Sequence, residues 1–156
     1  MSDDTRTGGF TLLELVVALA IAAVLFAVLL PTGARQRDHA ELANAARGVA
    51  AALLSTRTQA IMAGKPAAFA IDVDHALYRA AGRAAVRQFP PGTEVALYTA
   101  ATETRGAATG LIRFFPDGSS TGGGVTLGRS GDRIDVMVDW LTGGVSVHER
   151  PTHPGR

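Results

Sequence analysis

The stretch FTLLELVVALAIAAVLFAVLL, residues 10–30, decides how the chain must be read: 21 apolar or small residues with one charge, Glu14, followed directly by Pro31. At ~1.5 Å per helical residue the run reaches about 32 Å, close to the ~30 Å thickness of bilayer hydrocarbon and longer than the ~10–14 residues of a core helix. It therefore predicts a membrane-spanning helix. The competing reading is a cleaved secretory signal, which needs a basic start, a shorter apolar stretch and a small-x-small cleavage site. Here Asp3 and Asp4 outnumber Arg6, the uncharged run 15–30 is too long, and Thr32-Gly33-Ala34 is a marginal cleavage site. A retained anchor fits better.

Glu14 is out of place in such a helix, because a carboxylate at mid-bilayer costs about 2.5–3.5 kcal/mol. Lying near one end of the span, it is either a polar residue tolerated at the interface or the partner of a cation. The segment Gly8-Gly9-Phe10-Thr11-Leu12-Leu13-Glu14 followed by an apolar run resembles the class III signal of type IV prepilins and type II secretion pseudopilins. The resemblance implies that a membrane-embedded prepilin peptidase cuts after Gly9 and methylates the new terminal amine of Phe10. It also implies that Glu14 aligns with the terminal amine of a neighbouring subunit as a fibre assembles. Such an ion pair would offset the cost of two charges in an apolar bundle and fix axial register, a gain in specificity more than in stability.

Pro31 matches a helix-kinking proline common in pilins; lacking a backbone donor, it either bends the helix or ends it. The leader departs from the family in carrying only Arg6, and Arg35 and Arg37 follow the span, so charge counting alone does not orient the helix. The resemblance supplies the orientation: a single pass through the bacterial inner membrane, with the globular part in the periplasm.

Between residues 35 and 63 the chain is alanine-rich, and Leu42, Ala46, Val49, Leu53, Ala60 and Ile61 recur near helical spacing with Arg47 and Arg57 elsewhere around the wheel. This predicts an amphipathic helix stopped by Gly64 and Lys65 before Pro66. After Pro66 the period becomes two: Phe69, Ile71 and Val73 alternate, as do Val95, Leu97 and Thr99, then Ile134, Val136, Val138 and Trp140. Residues 111–115, 125–127 and 145–147 add short strands between turns at Pro90-Pro91-Gly92, Pro116-Asp117-Gly118 and Thr142-Gly143-Gly144.

The stretches IRFFPDGSSTGGGVTL, residues 112–127, and VDWLTGGVSV, residues 138–147, resemble the C-terminal domain of the H-type minor pseudopilin of type II secretion. The expected fold is α+β and pilin-like. A long N-terminal helix, half transmembrane and half amphipathic, packs on antiparallel β-sheets, two small ones. The expected segments are a leader at 1–9, the membrane and assembly helix at 10–31, its amphipathic continuation at 32–65, and the β domain at 66–156.

With 156 residues the chain has room for one domain, and about 125 remain beyond the anchor. Net charge is +1, without a block of like charges, so no nucleic-acid footprint stands out. The absence of cysteine removes disulfides, thiolate zinc sites and thiol nucleophiles.

Three patterns tempt a catalytic or ligand reading. Gly118-Ser119-Ser120-Thr121-Gly122 fits G-x-S-x-G, with Asp139 and His148 in hydrolase order. A nucleophile elbow joins a strand to a helix, however, and a strand follows here, so a solvated hairpin loop is expected. Gly122-Gly123-Gly124 lacks the Gly-Lys-Ser/Thr of a phosphate cradle and better suits positive φ in a tight or mobile loop. Asp72, Asp74 and His75 suit turn chemistry, and His39, His75, His148 and His153 show no metal-binding spacing. Met62, Phe69, Phe114, Phe115 and Trp140 are expected in the core.

No catalytic residue, cofactor, metal or small-molecule substrate is therefore expected. The leading reading is a minor pseudopilin, a structural subunit near the tip of a type II secretion pseudopilus. Its implied partners are the other minor pseudopilins, the major pseudopilin, the prepilin peptidase/methyltransferase and the membrane. The alternative is a minor pilin of a type IV pilus that binds a surface or DNA, with Arg129, Arg133, Arg150 and Arg156 offered to phosphates. A membrane-anchored hydrolase is third.

Overall fold

The computed structural model of the protein describes residues 11–99, 104–105 and 109–150, with side chains left out at 27–35 and 104–105. Among the described residues a helix, α1, covers Leu12–Ala63 and nine strands follow: β1 Ala67–Asp72, β2 Leu77–Arg79, β3 Arg87–Gln88, β4 Glu94–Tyr98, β5 Thr104–Arg105, β6 Thr109–Phe114, β7 Gly123–Arg129, β8 Asp132–Val138 and β9 Val145–Arg150. The chain divides into two compact units, residues 1–37 and 38–156.

In the first unit Thr11 caps the helix. Its Oγ1 accepts from the Glu14 N–H at 3.3 Å and its carbonyl from the Leu15 N–H at 3.2 Å. Glu14 stands three residues after this cap, where a carboxylate suits the positive end of the helix dipole. The helical backbone passes through Pro31 and does not end there. Among the described residues no helix is long and apolar enough to cross a membrane. Phe10 and the side chains of 27–30, which belong to the apolar run read from the sequence, lie outside the described residues.

In the second unit α1 buries Leu42, Ala46, Val49, Leu53, Thr56 and Ala60. Their alternating spacing of four and three residues lays one stripe along the helix. The helix stops in a Schellman motif: the Lys65 N–H reaches the Ala60 carbonyl and the Gly64 N–H that of Ile61, both at 3.3 Å, with Gly64 at φ 60°.

The strands form two antiparallel sheets, in the orders β3-β2-β1-β6-β5 and β4-β7-β8-β9. In the first, β1 pairs with β6 so that Phe69 faces Ile112; in the second, β7 pairs with β8 so that Val125 faces Val136 and Leu127 faces Ile134. Phe69, Ile71, Ile112 and Phe114 from one sheet and Val125, Leu127, Ile134, Val136 and Val138 from the other are buried with the α1 stripe in a single core. This is an α+β fold of a helix packed on two antiparallel sheets.

Four residues expected inside are not fully buried. Met62 is 82 % exposed and Ile61 44 %, because the stripe passes through Ala60 and the helix ends before its next turn. Trp140 is 65 % exposed, because β8 ends at Val138 and the turn that starts at Asp139 breaks the alternation that pointed Trp140 inward. Phe115 is only half-buried, beyond the end of β6. The short strands β2, β3 and β5 carry too few residues to show a period in the sequence.

Candidate assembly surfaces

Of the residues assigned a role from the sequence, Gly9 and Phe10 lie outside the described residues, as does the side chain of Pro31. Glu14 lies in the first turn of α1, exposed, among exposed Leu12, Leu13, Leu15, Val16 and Val17. Beyond them Leu19, Ile21, Val24, Leu25 and Phe26 are exposed as well. Apolar side chains on every side of a helix require an apolar surrounding, whether lipid or other helices.

In the second unit two polar clasps hold α1 to the loops of the β4-β7-β8-β9 sheet. The first is centred on Arg57. Its Nε donates to the Gly118 carbonyl at 3.0 Å and one terminal nitrogen to the Thr142 carbonyl at 2.9 Å, joining the helix to the β6–β7 and β8–β9 loops at once. The loops are also tied to each other. The Ser120 N–H donates to the Trp140 carbonyl at 2.9 Å, and Ser120 Oγ donates to the Asp139 carbonyl at 3.3 Å while accepting from the Gly122 N–H at 2.8 Å.

Gly118 and Gly143 stand at φ 87° and 61°, and a Cβ on Gly143 would meet the Gly118 carbonyl and the Arg57 guanidinium. The glycines here let two loop backbones and an arginine meet. The solvated loop expected from the sequence is thereby corrected: Gly118, Ser120 and Gly122 are buried. Each loop carries its own carboxylate cap. Thr142 N–H and hydroxyl, then the Leu141 N–H, hold the Asp139 carboxyl below its ordinary value near 3.8. The Ser119 hydroxyl and N–H do the same for Asp117.

The second clasp lies where the unit begins. Arg129, at the end of β7, donates to Asp38 at 2.8 Å and to Glu41 at 2.7 Å, and Ser130 Oγ donates to Asp38 at 2.7 Å. His39 Nδ1 is 3.2 Å from Asp132 Oδ2. Ser130 and Gly131, at φ 52° and 93°, form the two-residue turn that presents these groups to the helix.

Neither clasp was legible as such. A helical wheel places Arg57 off the apolar stripe, and nothing local says that a long side chain will reach two glycine loops about 60 and 85 residues away. The one sequence signal was indirect: glycines crowded into loops that also resembled a known domain.

The geometry dismantles the catalytic patterns. Ser120 Oγ is occupied by backbone groups, Asp139 caps its own turn, and His148 Nε2 lies 3.1 Å from Ser146 Oγ on exposed β9. No cluster of three or more metal-ligating side chains occurs among the described residues. Asp72 and His75 form a local turn: Asp72 accepts from the His75 N–H at 3.1 Å and its other oxygen is 2.9 Å from Nδ1. These bonds lower the Asp72 carboxyl below 3.8 and raise the His75 imidazole above 6.5. Of the arginines offered to phosphates, Arg129 is committed to two carboxylates and Arg150 pairs at 2.8 Å with the buried Asp135; Arg156 lies outside the described residues.

Comparison with known proteins agrees with a structural role. A family model described as Type II transport protein GspH matches residues 45–143, and one described as Prokaryotic N-terminal methylation motif matches residues 4–30. The chain is 40% identical over 140 residues to the Type II secretion system protein H of Xanthomonas campestris pv. campestris, spanning 88% of this chain and 80% of that protein. Its fold is similar to that of the minor pseudopilin EpsH from the Type 2 Secretion System of Vibrio cholerae, with a TM-score of 0.54 at 14% identity over 70% of this chain and 97% of that one. At that identity the likeness is one of fold.

Proposed function

The chain belongs to the GspH family of type II transport proteins, and from that premise we propose that it works as a minor pseudopilin, a structural subunit of the pseudopilus near its tip. The observation that carries this reading is a conjunction. A methylation motif over residues 4–30 and an H-type domain over 45–143 occupy one chain in the order that an assembling subunit needs, anchor first and docking domain second. The loops that resemble a hydrolase motif act as structural ties, which supports a role in assembly.

In this reading the prepilin peptidase cuts between Gly9 and Phe10 and methylates the Phe10 amine. The helix from Phe10 onward remains in the inner membrane as a single pass, bent at Pro31, with the globular domain in the periplasm. Its partners are the other minor pseudopilins and the major pseudopilin. An amine with an ordinary pKa of ~7.7–8.0 is charged at neutral pH, so a neighbour's terminus and the Glu14 carboxylate attract each other strongly in an apolar bundle. Exposed apolar side chains on all sides of residues 12–26 support burial among lipids and neighbouring helices.

The test is the intact N-terminus of membrane-extracted protein. N-methylated Phe10 is the expected species; a terminus near Ala34, or uncut Met1 in cells with an active prepilin peptidase, would defeat the reading. Glu14→Ala should still insert into the membrane and be processed, but enter the fibre poorly. Unchanged incorporation of that variant would remove the ion-pair role while leaving the subunit assignment in place.

A further inference from the structure

Within the second unit a groove runs between α1 and the segment that links β2 to β3. One end is a cavity of about 170 Å³ lined by Gly48, Ala52, Ser55, Tyr78, Arg83 and Arg87. A wider, open depression shares Ser55 and Arg83 with it and continues past Gln59 to Met62.

The walls are built. Buried Thr56 donates its hydroxyl to the Ala52 carbonyl at 2.8 Å and accepts the Ala81 N–H at 3.2 Å, pinning the linking segment to the helix. Gly82, at φ 67°, lies so close to the Gln59 amide that a Cβ would collide with it. Tyr78 is held between Phe69 and Phe89, with ring centroids 5.8 and 4.9 Å away. Its hydroxyl stands 2.8 Å from where a Cβ on Gly48 would be, so glycine admits it to the helix surface.

The groove is polarised. At its narrow end Arg83, Arg87 and the Tyr78 hydroxyl supply donors to the same cavity, and among the described residues neither arginine makes an ion pair and the hydroxyl makes no hydrogen bond. At its wide end stands exposed Met62, a side chain that adapts to varied apolar partners. From Gly48 to Met62 the helix rises about 21 Å, the reach of about six residues of extended chain.

We infer that this groove receives an acidic segment of a neighbouring pseudopilin, its Asp or Glu carboxylate held by Arg83 and Arg87 and an apolar side chain resting on Met62. Paired guanidinium donors suit a carboxylate, and the apolar far end and small-residue wall suit a polypeptide better than a nucleic-acid backbone, which asks for a longer cationic track. The inference rests on the subunit reading given above.

The test places a photoreactive benzoylphenylalanine at Ser55 of the full-length chain, in cells that carry its secretion genes, and sequences the cross-linked peptide. The expected product joins Ser55 to another pseudopilin within a few residues of an Asp or Glu. Its yield should fall about tenfold in Arg83→Glu/Arg87→Glu and in the milder Arg83→Gln/Arg87→Gln, and return when the partner's acid is changed to Lys in the charge-reversed background. An adduct with lipid or nucleic acid, a joined peptide without an acid, a yield indifferent to the arginine changes, or no adduct would each overturn the inference. The intact N-terminus of the same sample separates the two claims: methylated Phe10 with an empty groove sinks the groove alone, whereas unprocessed protein sinks the subunit reading beneath it.

Discussion

Replacing Arg57 by alanine should loosen the whole loop end of the domain. The change removes one part-buried and one exposed hydrogen bond from a cation to backbone carbonyls, at 3.0 Å to Gly118 and 2.9 Å to Thr142. Bonds to charged groups contribute ~1.5–3 kcal/mol each when sheltered; with the exposed one discounted for solvent, the loss comes to about 2–2.5 kcal/mol. The second unit spans residues 38–156, and at ~2.1 cal/mol/K per residue its unfolding entropy is about 0.25 kcal/mol/K, so Tm should fall by roughly 8–10 °C. Trp140 is the single tryptophan and its carbonyl accepts from Ser120 in the tied loops, so tryptophan fluorescence of the full chain in detergent during heating or urea titration reads this region directly. Arg57→Lys should recover no more than half of the loss, because one ammonium lacks the planar fork that meets two carbonyls. A loss below ~0.5 kcal/mol for alanine, or full stability for lysine, would refute the argument that the clasp holds the loops.

Gly143→Ala should be destabilised by about 1–3 kcal/mol in the same fluorescence assay, since the added methyl meets the Gly118 carbonyl and sits at a φ that favours glycine; parental stability would show that the two loops can separate freely. Acid should weaken the same region through Asp139 and Asp117. Both carboxyls are lowered in the folded state, so their contributions are present above the ordinary value of 3.8 and are lost as pH falls through the lower folded values. Asp139→Asn should therefore have a lower urea midpoint than the parent at neutral pH and converge with it below pH 3.8; a gap that stays constant with pH would count against the carboxylate cap. His75 works in the opposite sense. Its raised pKa contributes fully below 6.5 and is lost as pH rises through the folded value, so His75→Ala should differ from the parent in urea midpoint most at mildly acidic pH.

The sequence made the fold class readable because its signals are local and repeated. The stripe Leu42, Ala46, Val49, Leu53 and Ala60 announces a packed helix, and Gly64 before Lys65 announces its end. Alternation along β1 and β8 announces half-buried strands. Those same rules misplaced Trp140 and Met62, since periodicity carries no mark of where an element stops. Thr56 occupies a stripe position as a hydroxyl because its bonds to Ala52 and Ala81 satisfy it there, which a hydrophobic pattern passes over. Arg57 and Arg129 were unreadable for a different reason. Their partners are distant in sequence and depend on loop shapes that only the packed sheets define.

The helix of the second unit is fastened near Asp38 and again at Arg57, a separation of about 29 Å at ~1.5 Å per residue, and both fastenings lead into loops of the same four-stranded sheet. A pull along the helix axis must therefore slide both sets of bonds and the apolar stripe between them together, in shear. Peeling would break the same contacts one after another. Bonds loaded in parallel share force, so this domain should resist a pull along the helix axis far better than a pull that peels the helix away from one end.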